Sequence, residues 1–192
     1  MLMMEKNHEN KIFEKVNFAN KELKNATFEK CTFMNCDFSN SNLSGNTFNE
    51  CSFENCNMSM AKLNKTKVTH VNFVNCKLIG INFNECADFL FSADFNNCIL
   101  DYTSFAGKKI PKIKFVNSSL KEANFSNTEL SESIFLDSNL EGAVFNKTIL
   151  NKADFTSAYN FTIDPESNSV KKTRFSRSSI HGLLMKYDMV IE

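Results

Sequence analysis

A large apolar residue recurs at every fifth position of this chain. The first run is Phe13, Phe18, Leu23, Phe28, Phe33, Phe38, Leu43, Phe48, Phe53, Met58, Leu63, Val68, Phe73, Leu78 and Phe83. The second is Phe95, Leu100, Phe105, Ile110, Phe115, Leu120, Phe125, Leu130, Phe135, Leu140, Phe145, Leu150 and Phe155. A helix repeats every 3.6 residues and a strand every two, so neither yields a step of five. Sustained over 28 positions, the step marks a repeat architecture. Composition agrees: there are 20 phenylalanines, no tryptophan and three tyrosines, as if one structural position were filled again and again.

Two residues before most large residues sits a small one, among them Cys31, Cys36, Ser41, Cys51, Cys56, Ala61, Ala123, Thr128, Ser133 and Ala153. Both positions therefore point inward. The other three are mostly Asn, Ser, Lys, Glu and Asp and face water. Ala153-Asp154-Phe155, Ala93-Asp94-Phe95, Ala87-Asp88-Phe89 and Ala123-Asn124-Phe125 show the pattern in short form. It resembles the pentapeptide-repeat family over residues from about 11 to 180. The resemblance implies an all-β fold, a right-handed quadrilateral parallel β-helix (a β-solenoid), in which four pentapeptides make one square coil.

The chain supports four sides on its own account. With coils of 20 residues, Phe13, Phe33, Phe53, Phe73, Phe95, Phe115, Phe135 and Phe155 form one core column, provided Phe89 divides the gap after Phe83 into two sides of six residues. The opposite column runs Leu23, Leu43, Leu63, Phe83, Phe105, Phe125, Phe145. About eight coils at about 4.8 Å each predict a rod of roughly 38 Å. The expected divisions are an N-terminal tail or cap over 1–10, the solenoid over 11–180, irregular at 84–94 and 156–169, and a C-terminal cap and dimerisation segment over 181–192.

Lys and Arg number 22, as do Asp and Glu. This balance argues against a strongly basic nucleic-acid binder. No apolar run is long enough for a membrane span, and the first ten residues lack a signal-peptide core. Seven cysteines without an export signal point to a reducing cytoplasm. Six of them hold small inward positions, and Cys36, Cys56, Cys76 and Cys98 share one column. A straight column does not converge on a metal and misses disulfide geometry, so these are expected to be buried small residues. Cys86 falls at the irregular step, where more exposure is expected. His8, His70 and His181 are too dispersed for a catalytic or metal cluster, and His70 falls on an outward, solvated position. No nucleotide-binding, hydrolase or metalloprotease motif is present. Neither catalytic residues, metal nor cofactor are expected, and the chain reads as a non-enzymatic interaction protein.

Asn35, Asn55, Asn75, Asn97 and Asn117 share one corner, where Asn tolerates tight turns. Lys108, Lys109, Lys112 and Lys114 form a basic band, and Glu122, Glu129, Glu132, Asp137 and Glu141 follow against only Lys121. Lys109, Lys112 and the five acids are candidate partner contacts. Lys108 takes a small inward position, which predicts a distorted coil near 107–112. Met34, Val74, Val116, Ile134 and Leu136 suggest an exposed apolar stripe. Beyond Phe155 the step breaks, then returns at Val170, Phe175 and Ile180. The segment after Gly182 reads as a short helix and an extended tail.

Leu183, Leu184 and Met185 with the apolar end, Tyr187, Met189, Val190 and Ile191, resemble the C-terminus of the Qnr group, within the Qnr/MfpA-like branch of the family. That resemblance implies an isologous, tail-to-tail homodimer. It also implies a protein partner, the type II topoisomerases DNA gyrase or topoisomerase IV, bound by mimicry of DNA with protection against quinolones. A scaffold for another protein partner, and direct nucleic-acid binding through the lysine band, are the alternatives.

Overall fold

The structure, a computed structural model, describes residues 6–187 and Met189. The chain winds as a four-sided parallel β-solenoid in which each coil lies on the previous one, 20 residues on. One side carries a nine-stranded sheet running from Ile12–Glu14 to Arg174–Phe175. The side before it carries a four-stranded sheet of Asn7–Glu9, Thr27–Glu29, Thr47–Asn49 and Lys67–Thr69. The other two sides are held by single bridges such as Asn17↔Asp37 and Asn42↔Lys62.

Local conformation explains the step of five. On the two sheet-bearing sides each coil contributes a strand of about three residues whose middle side chain points inward, as in Thr32–Met34 and Ser52–Glu54. The chain then turns a corner, and the residue two places after most large core residues takes up the turn at positive φ. Thirty described residues have positive φ, 26 of them not glycine, and all but Leu90 and Asn160 stand at such corners. Asparagine holds eleven of these, because its short amide suits the left-handed region. Asn35, Asn55, Asn75, Asn97 and Asn117 all adopt it, and the Asn75 amide donates to Asn55 Oδ1 at 3.2 Å.

The phenylalanine column is present in register. Phe13↔Phe33, Phe33↔Phe53, Phe53↔Phe73, Phe73↔Phe95, Phe95↔Phe115 and Phe115↔Phe135 are paired strand positions. Phe155 stacks on Phe135 with ring centres 4.5 Å apart, and Phe175 pairs with Phe155 as a ninth member. Rings within a column stack, and rings of neighbouring columns meet edge-on, as Phe33 does with Phe53 (4.6 Å) and Phe48 (6.1 Å). Each fully buried ring stabilises the fold by about 1.5–3 kcal/mol before entropy is counted. The small inward residues close the backbone polar ledger. Cys56 Sγ lies 3.3 Å from the Phe33 carbonyl oxygen, and the Thr66 hydroxyl donates to Leu43 O at 2.8 Å. All seven cysteines are free and buried, and burial pushes the Cys51 thiol up to about 11 and the Cys86 thiol up to about 12.

Several expectations are corrected. The first coil starts at Asn7, inside the expected 1–10 tail: Asn7–Glu9 pairs with Thr27–Glu29, and His8 fills the core position, stacked on Phe28 at 4.8 Å. Phe89 does not form a side; it is exposed and Phe91 turns inward instead. Cys86 is buried, because it continues the column of Thr66. The coil near 107–112 keeps its register, with Gly107 N–H to Ser126 O at 2.9 Å and Ile110 N–H to Glu129 O at 3.0 Å. The distortion falls one coil earlier, at 86–92. Helical structure begins at Arg177, ahead of the expected 181 boundary. It consists of two 3₁₀ segments, Arg177–Leu183 and Met185–Tyr187, which leave Ile180 exposed and outside the core.

Candidate partner-binding surface

Sequence order suggested a basic band followed by an acidic one. Winding converts that order into neighbours on adjacent coils. Lys109 lies beside Glu129 in a parallel bridge. At the next corner Glu132 sits between Lys112 (3.9 Å) and Lys152 (3.1 Å). Lys121 pairs with Glu141 at 2.7 Å, and Lys114 with Asp94 at 3.6 Å. The Lys152 ammonium beside Glu132 holds its carboxyl below the usual range, and Glu141 holds Lys121 above its own. Such exposed pairs contribute little to stability, but they cancel the local field. Glu122, Glu129 and Asp137 make no ion pair among the described residues, and they fall on different corners and sides. The seven candidate contacts therefore do not form one acidic face. Lys108 is withdrawn from the surface altogether, which shortens the basic band.

The apolar stripe is corrected as well. Met34, Val74, Val116 and Ile134 are half-buried, and only Leu136 is exposed. Exposed apolar side chains are found elsewhere along the rod, as at Ile12, Met60, Tyr102 and Val144, on the loop at Phe89 and Leu90, and at the C-terminal end, where Ile180, Met185, Tyr187 and Met189 are exposed.

That end is docked on its own rod. Ile163 N–H donates to Gly182 O at 3.0 Å. Lys186 Nζ reaches Asp164 Oδ1 (2.7 Å) and Glu166 Oε2 (2.6 Å), and the Tyr187 hydroxyl donates to Glu166 Oε1 at 2.9 Å. Of the dimerisation candidates, Leu183 packs against the core, while Met185, Tyr187 and Met189 face outward. Leu184 closes the first 3₁₀ segment; Val190 and Ile191 lie outside the described residues. Imidazole Nδ1 of His181 lies 3.2 Å from the Ser178 carbonyl oxygen, a backbone contact. Among the described residues no three His, Cys, Asp or Glu side chains form a metal cluster, and no helix is long and apolar enough to cross a membrane.

The cap gives a first prediction. The Lys186 ammonium holds the carboxyls of Asp164 and Glu166 below the usual range, and they push Lys186 up. Groups whose values fall on folding add stability above the ordinary carboxylate range and lose it as pH falls through the lowered values. Lowering pH from about 6 to about 3 is expected to reduce amide protection factors, taken against the intrinsic exchange rate at each pH, across 177–187 more than in the central coils. A uniform fall in protection along the rod would contradict the ion cluster as the cap's fastening.

Comparisons agree with this architecture. A family model described as a pentapeptide repeat region matches residues 26–105, and a second, for pentapeptide repeats, matches residues 123–159. No curated protein sequence matches the chain. Among solved structures, a trypsin-treated variant of QnrB1, a plasmid-mediated fluoroquinolone resistance protein, is similar with a TM-score of 0.72 at 16% identity, covering 97% of this chain and 91% of that one. Full-length QnrB1 gives 0.56 at 17% identity, covering 95% and 100%. Eight coils with these matches over more than half of its residues mean that the chain belongs to the pentapeptide-repeat family.

Proposed function

We propose that this chain is a non-enzymatic protein-interaction module that binds a type II topoisomerase, DNA gyrase or topoisomerase IV, in the manner of the Qnr group, and so lessens quinolone action. The observation that carries this reading is the end-to-end likeness to QnrB1, a plasmid-mediated fluoroquinolone resistance protein. The molecule acts as a rigid rod assembled into a homodimer through the exposed apolar residues of its C-terminal end, in a reducing cytoplasm. Mimicry of DNA here would rest on shape more than on charge, because Glu132 and Glu141 are neutralised by lysines one coil away and the other candidate acids are spread over different corners and sides. That same pairing favours a second reading, a scaffold for a different protein partner. Direct binding to nucleic acid loses support, since Lys108 is buried and Lys112 and Lys114 lie near acids.

Supercoiling by purified gyrase, with and without ciprofloxacin, tests the proposal. Added at about micromolar concentration, the protein is expected to restore supercoiling in the presence of the drug. No change would remove the topoisomerase reading and leave the second. A salt-dependent gel shift of duplex DNA would contradict both.

A further inference from the structure

The ladder is interrupted at mid-rod, after Ala87. Ala87 N–H still donates to Thr66 O at 2.9 Å, and Ser92 N–H to Val68 O at 2.9 Å. Between these two anchors Asp88, Phe89 and Leu90 bulge outward while Phe91 goes in, its ring edge-on to Phe83 at 6.1 Å. Phe89 is 74% exposed and Leu90 62%. A bulge needs only small or polar residues. Two adjacent large apolar side chains in water need another explanation.

A second anomaly sits beneath the first. Along this side the small inward position carries short polar groups. Asn46, Thr66, Thr128, Thr148 and Asn168 each donate to a carbonyl 23 residues earlier. Lys108 breaks the series. Its side chain is 2% exposed, yet its ammonium bonds Cys86 O and, at 2.6 Å, Oδ1 of the exposed Asp88. It also lies 5.7 Å from the centre of the Phe91 ring. Burying an ammonium is unfavourable unless it is well paired. A threonine would complete the coil without that penalty. All three groups that Lys108 reaches belong to the loop or its base.

We propose that Lys108 is a positioning residue: it fixes the 88–91 loop in one pose, so that Phe89 and Leu90 form a rigid apolar tip that seats in an apolar pocket of a protein partner. This rests on the reading of the chain as a protein-interaction module. The loop is ordered before it binds, which removes an entropic penalty of association. A small desolvated anchor is also the kind of contact that dominates protein interfaces. The chemistry favours protein over a phosphate-bearing partner, because Lys108, the cation bonded to the loop, is turned inward, Asp88 faces out, and Lys112 and Lys114 on the adjoining groove lie near Glu132 and Asp94. A groove of about 440 Å³, lined by Phe91, Asp94, Ile110, Lys112 and Lys114 among others, opens beside the loop, so packing on that flank does not hold the tip.

Two variants test this. Lys108→Thr matches its column neighbours and is expected to leave thermal unfolding of the rod unchanged or raised. Amide exchange over 86–92, and chymotrypsin cleavage at Phe89 and Leu90, are expected to rise roughly tenfold. Unchanged exchange at the loop, or faster exchange along the whole rod, would overturn the positioning role. The double variant Phe89→Ser with Leu90→Ser reads the tip itself, with immobilised DNA gyrase as the probe. It is expected to bind about tenfold or more weakly than the parent. Equal binding would overturn the tip as an anchor. If the parent protein fails to bind gyrase, the topoisomerase reading falls, and the exchange experiment still decides the role of Lys108.

Discussion

Replacing Phe115 by alanine is expected to lower the free energy of unfolding by about 3–5 kcal/mol. The ring is fully buried at mid-rod. It stacks on Phe95 and Phe135, each 5.2 Å away, and meets Phe105 and Phe125 edge-on at 5.7 and 5.9 Å. The hole cannot collapse easily, because the backbone on both sides is pinned: Lys114 pairs with Asp94 below and with Ile134 above. Each coil of a solenoid is stabilised by its two neighbours, so one loss weakens two interfaces. Urea titration followed by circular dichroism should show the lower midpoint together with a broader transition, as the N-terminal and C-terminal coils begin to unfold separately. A loss below about 1 kcal/mol would mean that the stacked column is not the source of cohesion.

Gly182→Val carries the second large effect. A Cβ at residue 182 would overlap the Phe161 carbonyl oxygen and come within 2.8 Å of two ring carbons. Backbone and buried ring cannot both give way, so the cap must lift from the rod. Overpacking of this kind costs about 1–3 kcal/mol, and here it also breaks the bond from Ile163 N–H to Gly182 O and strains the reach of Lys186 to Asp164. Light scattering is the decisive readout. If the cap presents the dimer surface, the variant is expected to shift toward the mass of one chain while its far-UV dichroism is retained. A dimer that survives the substitution would mean the two copies meet elsewhere.

The parts of this molecule legible in the sequence were those that repeat. The phenylalanine column and the small inward cysteines could be counted off, because every coil solves the same packing problem. His8 shows how far counting reaches: it stands five residues before Phe13 and twenty before Phe28, yet a polar residue in a core column gives no apolar signal. The loop was harder. Phe89 and Phe91 are chemically alike, and which one turns inward depends on where the ladder resumes, at Ser92. Lys108 is inward, as its place in the repeat implies, but it does not disrupt its coil, because its partners Cys86 and Asp88 lie a full coil away. The charge bands failed for a related reason: sequence places Lys112 and Glu132 far apart, whereas winding makes them neighbours. The cap has no repeat to count, so its 3₁₀ segments were placed late.

The corner backbone bears on how such a rod can diversify. None of the thirty residues at positive φ is Val, Ile, Thr or Pro. β-Branched side chains and the proline ring do not tolerate that conformation. Two further positions in each five are committed to the interior. Only the two residues flanking each core side chain are left free to vary without restriction. A lineage of these proteins can therefore change whom it recognises mainly through that pair, or by opening a coil to admit a loop.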